Sequence, residues 1–370
     1  MNLKSIVALL ACGAVAHLAA QGPPSGSLLV LAKSDRTLSV VDPATLQVTG
    51  TAPSGPDPHE VVISTDGRVA YISNYNGGGN IITVIDLTSM KPLAPIDLGP
   101  LRAPHGLAFV ASKLWFTAEA AKAIGSYDPA TSKVDWVLGT GQNRTHMIFV
   151  SPDLKWMVTS NVSSATMTFI EKTAGGGGRG GPPAPGRGAP GGVGAPAEGP
   201  RGGGRPGGGP GGPGRGPGAQ GDWEETVIPV GRGAEGFDVS PDAKELWAAN
   251  AQDGTISVID LGSRRVTQTI AAGVNGANRV KFTPDGKLVF VSSLSGPDVV
   301  VFDAATRKEV KRIPVGHGAA GIQMQPDGVR AYVAGTPDDY VSVIDLKTLT
   351  VAGRIVAGKQ PDGLAWIAHR

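Results

Sequence analysis

The chain repeats itself about every 42 residues, and that period limits the folds open to it more than any single motif does. Segments beginning at His59, His105, His146, Glu235, Asn278, Ala320 and Asp362 align as short apolar runs such as His105-Gly106-Leu107-Ala108-Phe109. Their first residues lie 46, 41, 89, 43, 42 and 42 apart. The long interval contains a 48-residue low-complexity tract, Ala174 to Gly221, whose removal restores 41. Repeats of ~40–45 residues, each carrying several short strands, indicate a β-propeller with one four-stranded sheet per repeat. Seven segments therefore predict an all-β, seven-bladed β-propeller, a single domain over residues 21–370.

Each repeat is punctuated in the same way. Pro326-Asp327-Gly328 separates the first two strands of blade 7, and Thr65-Asp66-Gly67, Pro152-Asp153, Pro241-Asp242 and Pro284-Asp285-Gly286 stand at the same place in other blades. Pro presets φ for the first turn position, and Asp and Gly tolerate the next ones. Blade 3 has only Ala111-Ser112 there, which reads as a shortened hairpin. The third strands end in Asp42, Asp86, Asp128, Asp260, Asp303 and Asp345, with Glu171 in blade 4. One carboxylate per blade around a circumference cannot converge on a metal, so each is expected to bind the backbone of its own turn.

Blade 1 begins inside the pattern, because Leu28 to Ala32 matches a second strand. Gly363 to Ala368 is expected to supply the missing inner strand, so that the C-terminal strand joins the N-terminal blade and removes an exposed edge. The strings Gln325-Pro326-Asp327-Gly328-Val329-Arg330-Ala331-Tyr332-Val333, Val343-Ile344-Asp345 and Ile313-Pro314-Val315-Gly316 resemble the YVTN family of β-propeller repeats. The resemblance covers the chain outside the leader and the tract. It implies the propeller fold and leaves function open, since that family mixes surface, binding and enzymatic proteins.

Residues 1–20 read as a signal peptide, with Lys4, an apolar run from Ile6 to Ala16, and Ala19-Ala20 as a small-residue cleavage site. Leu9-Leu10-Ala11-Cys12 also resembles a lipobox, but apolar residues continue beyond Cys12 where a polar tether belongs. The expected location is the periplasm or the exterior, with no transmembrane segment and a monomeric protein. Residues 174–221, within blade 4, hold 24 Gly and 10 Pro and are expected to be disordered. Five Arg and one Glu give this tract +4; taking it and Lys4 from the formal +2 leaves the propeller at −3. A body of that charge has no nucleic-acid footprint.

First residues of the inner strands ring one mouth of a propeller channel. His59, His105 and His146 occupy that ring in consecutive blades, followed by Glu235. Three imidazoles and a carboxylate could hold one divalent ion, Zn²⁺ or another first-row metal. Glu235 would be a fourth ligand or, as the candidate catalytic group, a base for bound water. Equally, a duplicated Pro-His string could cap each inner strand without any metal. Three positions earlier a second ring includes Arg102, Arg232, His317 and Lys359, with Arg144 and Arg279 nearby. Such a rim would attract carboxylate or phosphate groups, and Arg102, Arg232, Asn278, His317, Lys359 and Asp362 are candidate ligand-binding residues. Asn74, Tyr75, Glu119, Asn161 and Asn250 reach the same face and are read as satisfying their own turns.

No Gly-Xaa-Ser-Xaa-Gly string is present, the single Cys lies in the leader, and the Gly-rich tract lacks a following Gly-Lys-Ser/Thr. Two readings follow. The first is an exported binding propeller that takes a small anionic ligand, a protein or a polymer on its top face. The alternative is a metal-dependent lactonase- or esterase-like hydrolase or lyase. Gluconolactonases and streptogramin lyases are similar propellers that place a divalent ion, or His and Glu, at this mouth. The gluconolactonase site is rich in Asn, Asp and Glu, whereas this one is rich in His.

Overall fold

A computed structural model describes residues 26–75, 78–173 and 223–369. The leader, with its expected cleavage site and Cys12, and the tract at 174–221 lie outside the described residues. Seven antiparallel sheets form a closed ring, each running from an inner to an outer strand. Six have four strands. The sheet of blade 2 has five, because its outer strand is split into Lys91–Pro92 and Ile96–Asp97 around Pro95, which has no N–H to give a ladder.

The ring closes as expected. The strand Pro361–Ala368 is the inner strand of blade 1 and pairs antiparallel with Gly26–Ala32, with Leu28 opposite Trp366 and Leu29 opposite Ala365. The second strands read as nearly unbroken apolar runs because both their faces are covered. Leu28 and Val30 pack toward blade 7, and Leu29 and Leu31 toward blade 2. Seven apolar clusters result, one at each interface between neighbouring blades.

The turns follow their local chemistry. Ser64, Ser151, Ser240 and Thr283 donate their hydroxyls to Asp66, Asp153, Asp242 and Asp285, whose carboxylates also accept the backbone N–H two residues on. In blade 3, Val110 pairs with Lys113 across Ala111 and Ser112, at φ 51° and 60°. Positive φ at both centres is the two-residue hairpin turn whose twist matches that of the strands. The Asp residues ending the third strands cap their own turns, as at Asp42 to Ala44 N–H (2.7 Å) and Asp345 to Thr348 N–H (2.7 Å).

A β-bulge near the start of every inner strand positions the channel mouth. In each blade two inner-strand residues stand opposite one residue of the second strand, as His59-Glu60 do against Ser73 and His105-Gly106 against Thr117. The same shift recurs at His146-Met147, Glu235-Gly236, Asn278-Arg279, Ala320-Gly321 and Asp362-Gly363. A bulge leaves a backbone group unpaired and re-aims side chains. In blades 2, 3, 4 and 6 a hydroxyl from the second strand takes up that group, Ser73 accepting from Glu60 in blade 2. Thr117, Ser160 and Ser292 accept the N–H of Gly106, Met147 and Arg279, and donate to the carbonyls of His146, Glu235 and Ala320 in the next blade.

Where the second bulge residue is glycine, the neighbouring blade comes closer still. A Cβ at Gly321 would lie 2.1 Å from the carbonyl oxygen of Asp362, and one at Gly363 would lie 2.2 Å from that of His59. Gly321→Ala is therefore expected to cost roughly 1–3 kcal/mol by overpacking. Gly139→Ala, where a Cβ would meet nothing within 4 Å, should stabilise by about 0.4–1 kcal/mol. Urea midpoints of the two variants check this, and an unchanged Gly321→Ala midpoint would refute the close approach. Deleting residues 361–370 should leave Gly26–Ala32 unpaired and produce aggregation in light scattering. A soluble, equally stable truncation would count against closure.

Candidate functional site

The seven bulges bring all seven ring residues, His59, His105, His146, Glu235, Asn278, Ala320 and Asp362, to one cavity of about 310 Å³ at the channel mouth. Lys33, Arg144 and Arg279 complete its charged lining. Arg279, the second bulge residue of blade 6, reaches across the axis to pair with Glu60, the second bulge residue of blade 2. It also borders a further cavity of about 400 Å³ along the channel. Burial opposes the Arg279 charge, but the carboxylates of Glu60, Asp362 and Glu235 outweigh it and raise its pKa.

A continuous chain of hydrogen bonds crosses blades 2 to 5. The Tyr75 hydroxyl donates to Glu119 Oε2 at 2.6 Å. Glu119 Oε1 accepts from His146 Nδ1, and His146 Nε2 donates to Glu235 Oε2 at 2.9 Å. An imidazole donating from both nitrogens is an imidazolium. Burial works against that charge, and the two carboxylates overcome it, raising the His146 pKa. For Glu235, burial likewise works against the charge, and contact with His146 and then Arg144 brings it down to about 2. Burial, followed by the Glu119 carboxylate, pushes the Tyr75 phenol up to about 12. Arg144 lies 3.6 Å from Glu119 and 3.5 Å from Glu235.

His105 sits between these groups in the opposite protonation state. Burial, and after it the charges of His146, His59, Arg279 and Arg144, hold its pKa well below 6.5. Its ring lies over that of His146, with centroids 3.7 Å apart, and its buried Nδ1 has no hydrogen-bond partner among the described residues. His59 is engaged at both nitrogens. Nδ1 donates to the Asp57 carbonyl at 3.1 Å, and Nε2 accepts from the Lys33 ammonium at 2.8 Å.

A metal shell requires several lone pairs converging at about 2.0–2.1 Å. As placed here, His146 gives both ring nitrogens to carboxylates, His59 Nε2 faces an ammonium, and His105 is stacked on its neighbour. The expected quartet is thus brought together as three imidazoles in ring contact, His59 on His105 and His105 on His146, with only His146 bonded to Glu235. Among the described residues no group of three or more His, Cys, Asp or Glu is placed to hold a metal ion.

Of the other candidates, Asn278 and Asp362 line the cavity, whereas Arg102, Arg232, His317 and Lys359 do not. These four lie in loops outside the bulges. Arg102 donates to the Gly78 carbonyl, Arg232 pairs with Asp253 at 2.7 Å, His317 faces Asp338, and the Lys359 N–H donates to Asp35. Asn74, Asn161 and Asn250 satisfy neighbouring loops and strands, as expected. Tyr75 and Glu119 do not; they belong to the site. Lys33, Asp57 and Glu60 were not visible as site residues. The available signal was at Glu60 and Arg279, which occupy a bulge position that is Gly in four other blades.

Comparison with known proteins reaches the fold and stops there. The family described as the cytochrome D1 heme domain matches residues 222–325, less than half of the chain. That stretch includes Glu235, Asn278 and Arg279 but none of the three mouth histidines. No curated protein matches. A functionally unknown protein from Desulfotomaculum acetoxidans superposes with TM-score 0.67 at 13% identity, covering 94% of this chain and 100% of that one. A protein provisionally described as a 6-phosphogluconolactonase, from Bacteroides uniformis, gives 0.68 at 13%, covering 93% and 100%. A dihydro-heme d1 dehydrogenase in complex with DHE gives 0.58 at 16%, covering 89% of this chain but 63% of that one. These likenesses place the chain among β-propellers. Among the described residues no helix is long and apolar enough to cross a membrane.

The buried histidines make opposite predictions with pH. The folded His105 pKa lies below its 6.5 reference, so the unfolded chain takes up a proton first and stability falls as pH drops through about 6.5. The His146 pKa is raised, so its contribution is complete below about 6.5 and is lost as pH climbs through the folded value. His105→Gln should flatten the acid side of a stability profile. His146→Ala should flatten the alkaline side and, by taking from Glu119 and Glu235 the cation they share and leaving only Arg144 beside them, cost about 3 kcal/mol. Urea midpoints from roughly pH 5 to 9 test both; an unaltered alkaline limb in His146→Ala would rule out the imidazolium.

Proposed function

We propose that this is an exported binding propeller of the YVTN type whose channel mouth takes a small, polar organic molecule. One observation carries the reading: a cavity of about 310 Å³ to which six of the seven blades bring a charged or polar ring residue, among them His105, whose buried Nδ1 has no hydrogen-bond partner among the described residues. Its size falls at the small end of the range for ligand pockets, ~300–1,000 Å³. Buried polar atoms are rarely left unpaired, so an unpaired nitrogen on a ring that lines the cavity supports a mouth whose polar groups are not all satisfied by one another. Export rests on Lys4, the apolar run and Ala19-Ala20 in the leader.

A bound ligand stabilises the folded state by mass action, by about 2.7 kcal/mol at one hundred times Kd. Thermal-shift screening of small polar acids, amines and zwitterions on the full-length protein should yield at least one stabilising compound. Ala320→Leu adds volume to the mouth from a residue with no polar contact to lose, and should abolish that shift while changing the urea midpoint by about 1–3 kcal/mol at most. A shift that survives in Ala320→Leu would place binding elsewhere. Stoichiometric metal in the purified protein, with lactone or ester hydrolysis lost on chelation, would replace this reading with the hydrolase alternative.

A further inference from the structure

The charges around the mouth are interleaved but unevenly matched. On the side of blades 1 and 2, Asp362 lines the cavity and Asp57 stands behind it outside the lining, and the two share a single ammonium, that of Lys33, at 3.2 and 3.6 Å. Lys33 also donates to His59 Nε2 at 2.8 Å. This wall therefore already cradles an ammonium group between a ring nitrogen and two carboxylates, and one negative charge is left over.

The far wall has the complementary feature. Arg144, in the loop entering blade 4, is 41% exposed and stands 3.5–3.6 Å from its nearest carboxylates, beyond direct hydrogen-bond reach. Its planar fork keeps donors available for a further carboxylate, which guanidinium groups bind in bidentate fashion. Blades 1 and 4 are three steps apart on a ring of seven, the greatest separation the ring allows. A separate observation concerns a residue that lines the cavity between them. His105, 3% exposed, lines it, and its Nδ1 makes no hydrogen bond among the described residues.

We propose that the mouth binds a small zwitterion of the ω-amino acid class, its ammonium seated at Asp57 and Asp362 and its carboxylate at Arg144. The proposal rests on the reading of the mouth as a small-molecule site and names what that site takes. A simple carboxylate would add charge to a mouth where five carboxylates already face four cations. A simple amine would meet the surplus at Asp57 and Asp362 but leave the Arg144 donors unused. The zwitterion answers both walls and adds no net charge to a partly buried site, where an unpaired charge is costly.

Titration calorimetry of the full-length protein with 5-aminopentanoate, pentanoate and pentylamine tests this. The zwitterion should bind with 1:1 stoichiometry, and each singly charged analogue should bind about tenfold or more weakly. Asp362→Asn, with Asp57→Asn as a second variant, should weaken 5-aminopentanoate about tenfold and leave pentanoate unchanged. Arg144→Gln should weaken the zwitterion and leave pentylamine unchanged. Equal binding of pentanoate or pentylamine overturns the zwitterion proposal, as does an undiminished affinity in both the Asp362 and Arg144 variants, or the absence of heat from all three compounds. The broader reading fails separately, when no compound stabilises the native protein in a manner that Ala320→Leu removes.

Discussion

The contact on which the rest of the molecule depends is the one between neighbouring bulges. A bulge frees a backbone N–H and turns two side chains toward the channel. The freed group must find a partner, because an unmet buried donor costs about 1–3 kcal/mol. Thr117, Ser160 and Ser292 meet it and, with the same hydroxyl, hold the ring carbonyl of the next blade. Gly106, Gly236, Gly321 and Gly363 serve the same approach by removing a Cβ that would collide with that carbonyl. Each blade is thereby set against the next at the point where its mouth residue projects. Curvature, closure and the meeting of seven side chains share one local cause.

What those side chains do at the mouth is governed by burial and pairing. Two imidazoles with rings 3.7 Å apart end in opposite states because one has carboxylates on both nitrogens and the other has none. Glu235 is held near 2 by the same imidazolium, so it stays a carboxylate at any physiological pH and acts as an anchor. The site is thus a preorganised set of charges, fixed by bulges on rigid strands. Under the function proposed above, such a set would recognise its ligand by matching charge and position with little rearrangement.

Much of this could be read before the structure. The period of about 42 residues led to seven blades, the truncated first repeat led to closure by the C-terminal strand, and the lone Ala111-Ser112 led to a tight hairpin. His59, His105, His146 and Glu235 were visible as a converging group because they share one register. Their relationship was not visible. Asn161 and Asn250 end their second strands and bond hydroxyls of the third strand beside them, while Tyr75 and Glu119, one residue past the ends of theirs, form the chain that reaches His146. Lys33 follows the second strand of blade 1, and the packing of that blade on blade 2 places its ammonium against the His59 imidazole, while ring closure brings Asp362 to the same ammonium. Three residues before the bulge the chain is still in a loop, and there Arg232 and His317 meet carboxylates of the loop between the second and third strands, Asp253 and Asp338, outside the cavity lining.

The sequence by itself determined the blade count, the manner of closure and the one ring residue that each inner strand brings to the mouth, because these follow from period and alternation along the chain. Tertiary structure alone decided which of those residues pair, which is charged and which is left without a partner. Those outcomes depend on distances of a few ångströms between blades, and on the low-dielectric surroundings in which Glu119, His146 and Glu235 settle one another's charge. No spacing within one repeat encodes a distance across the channel.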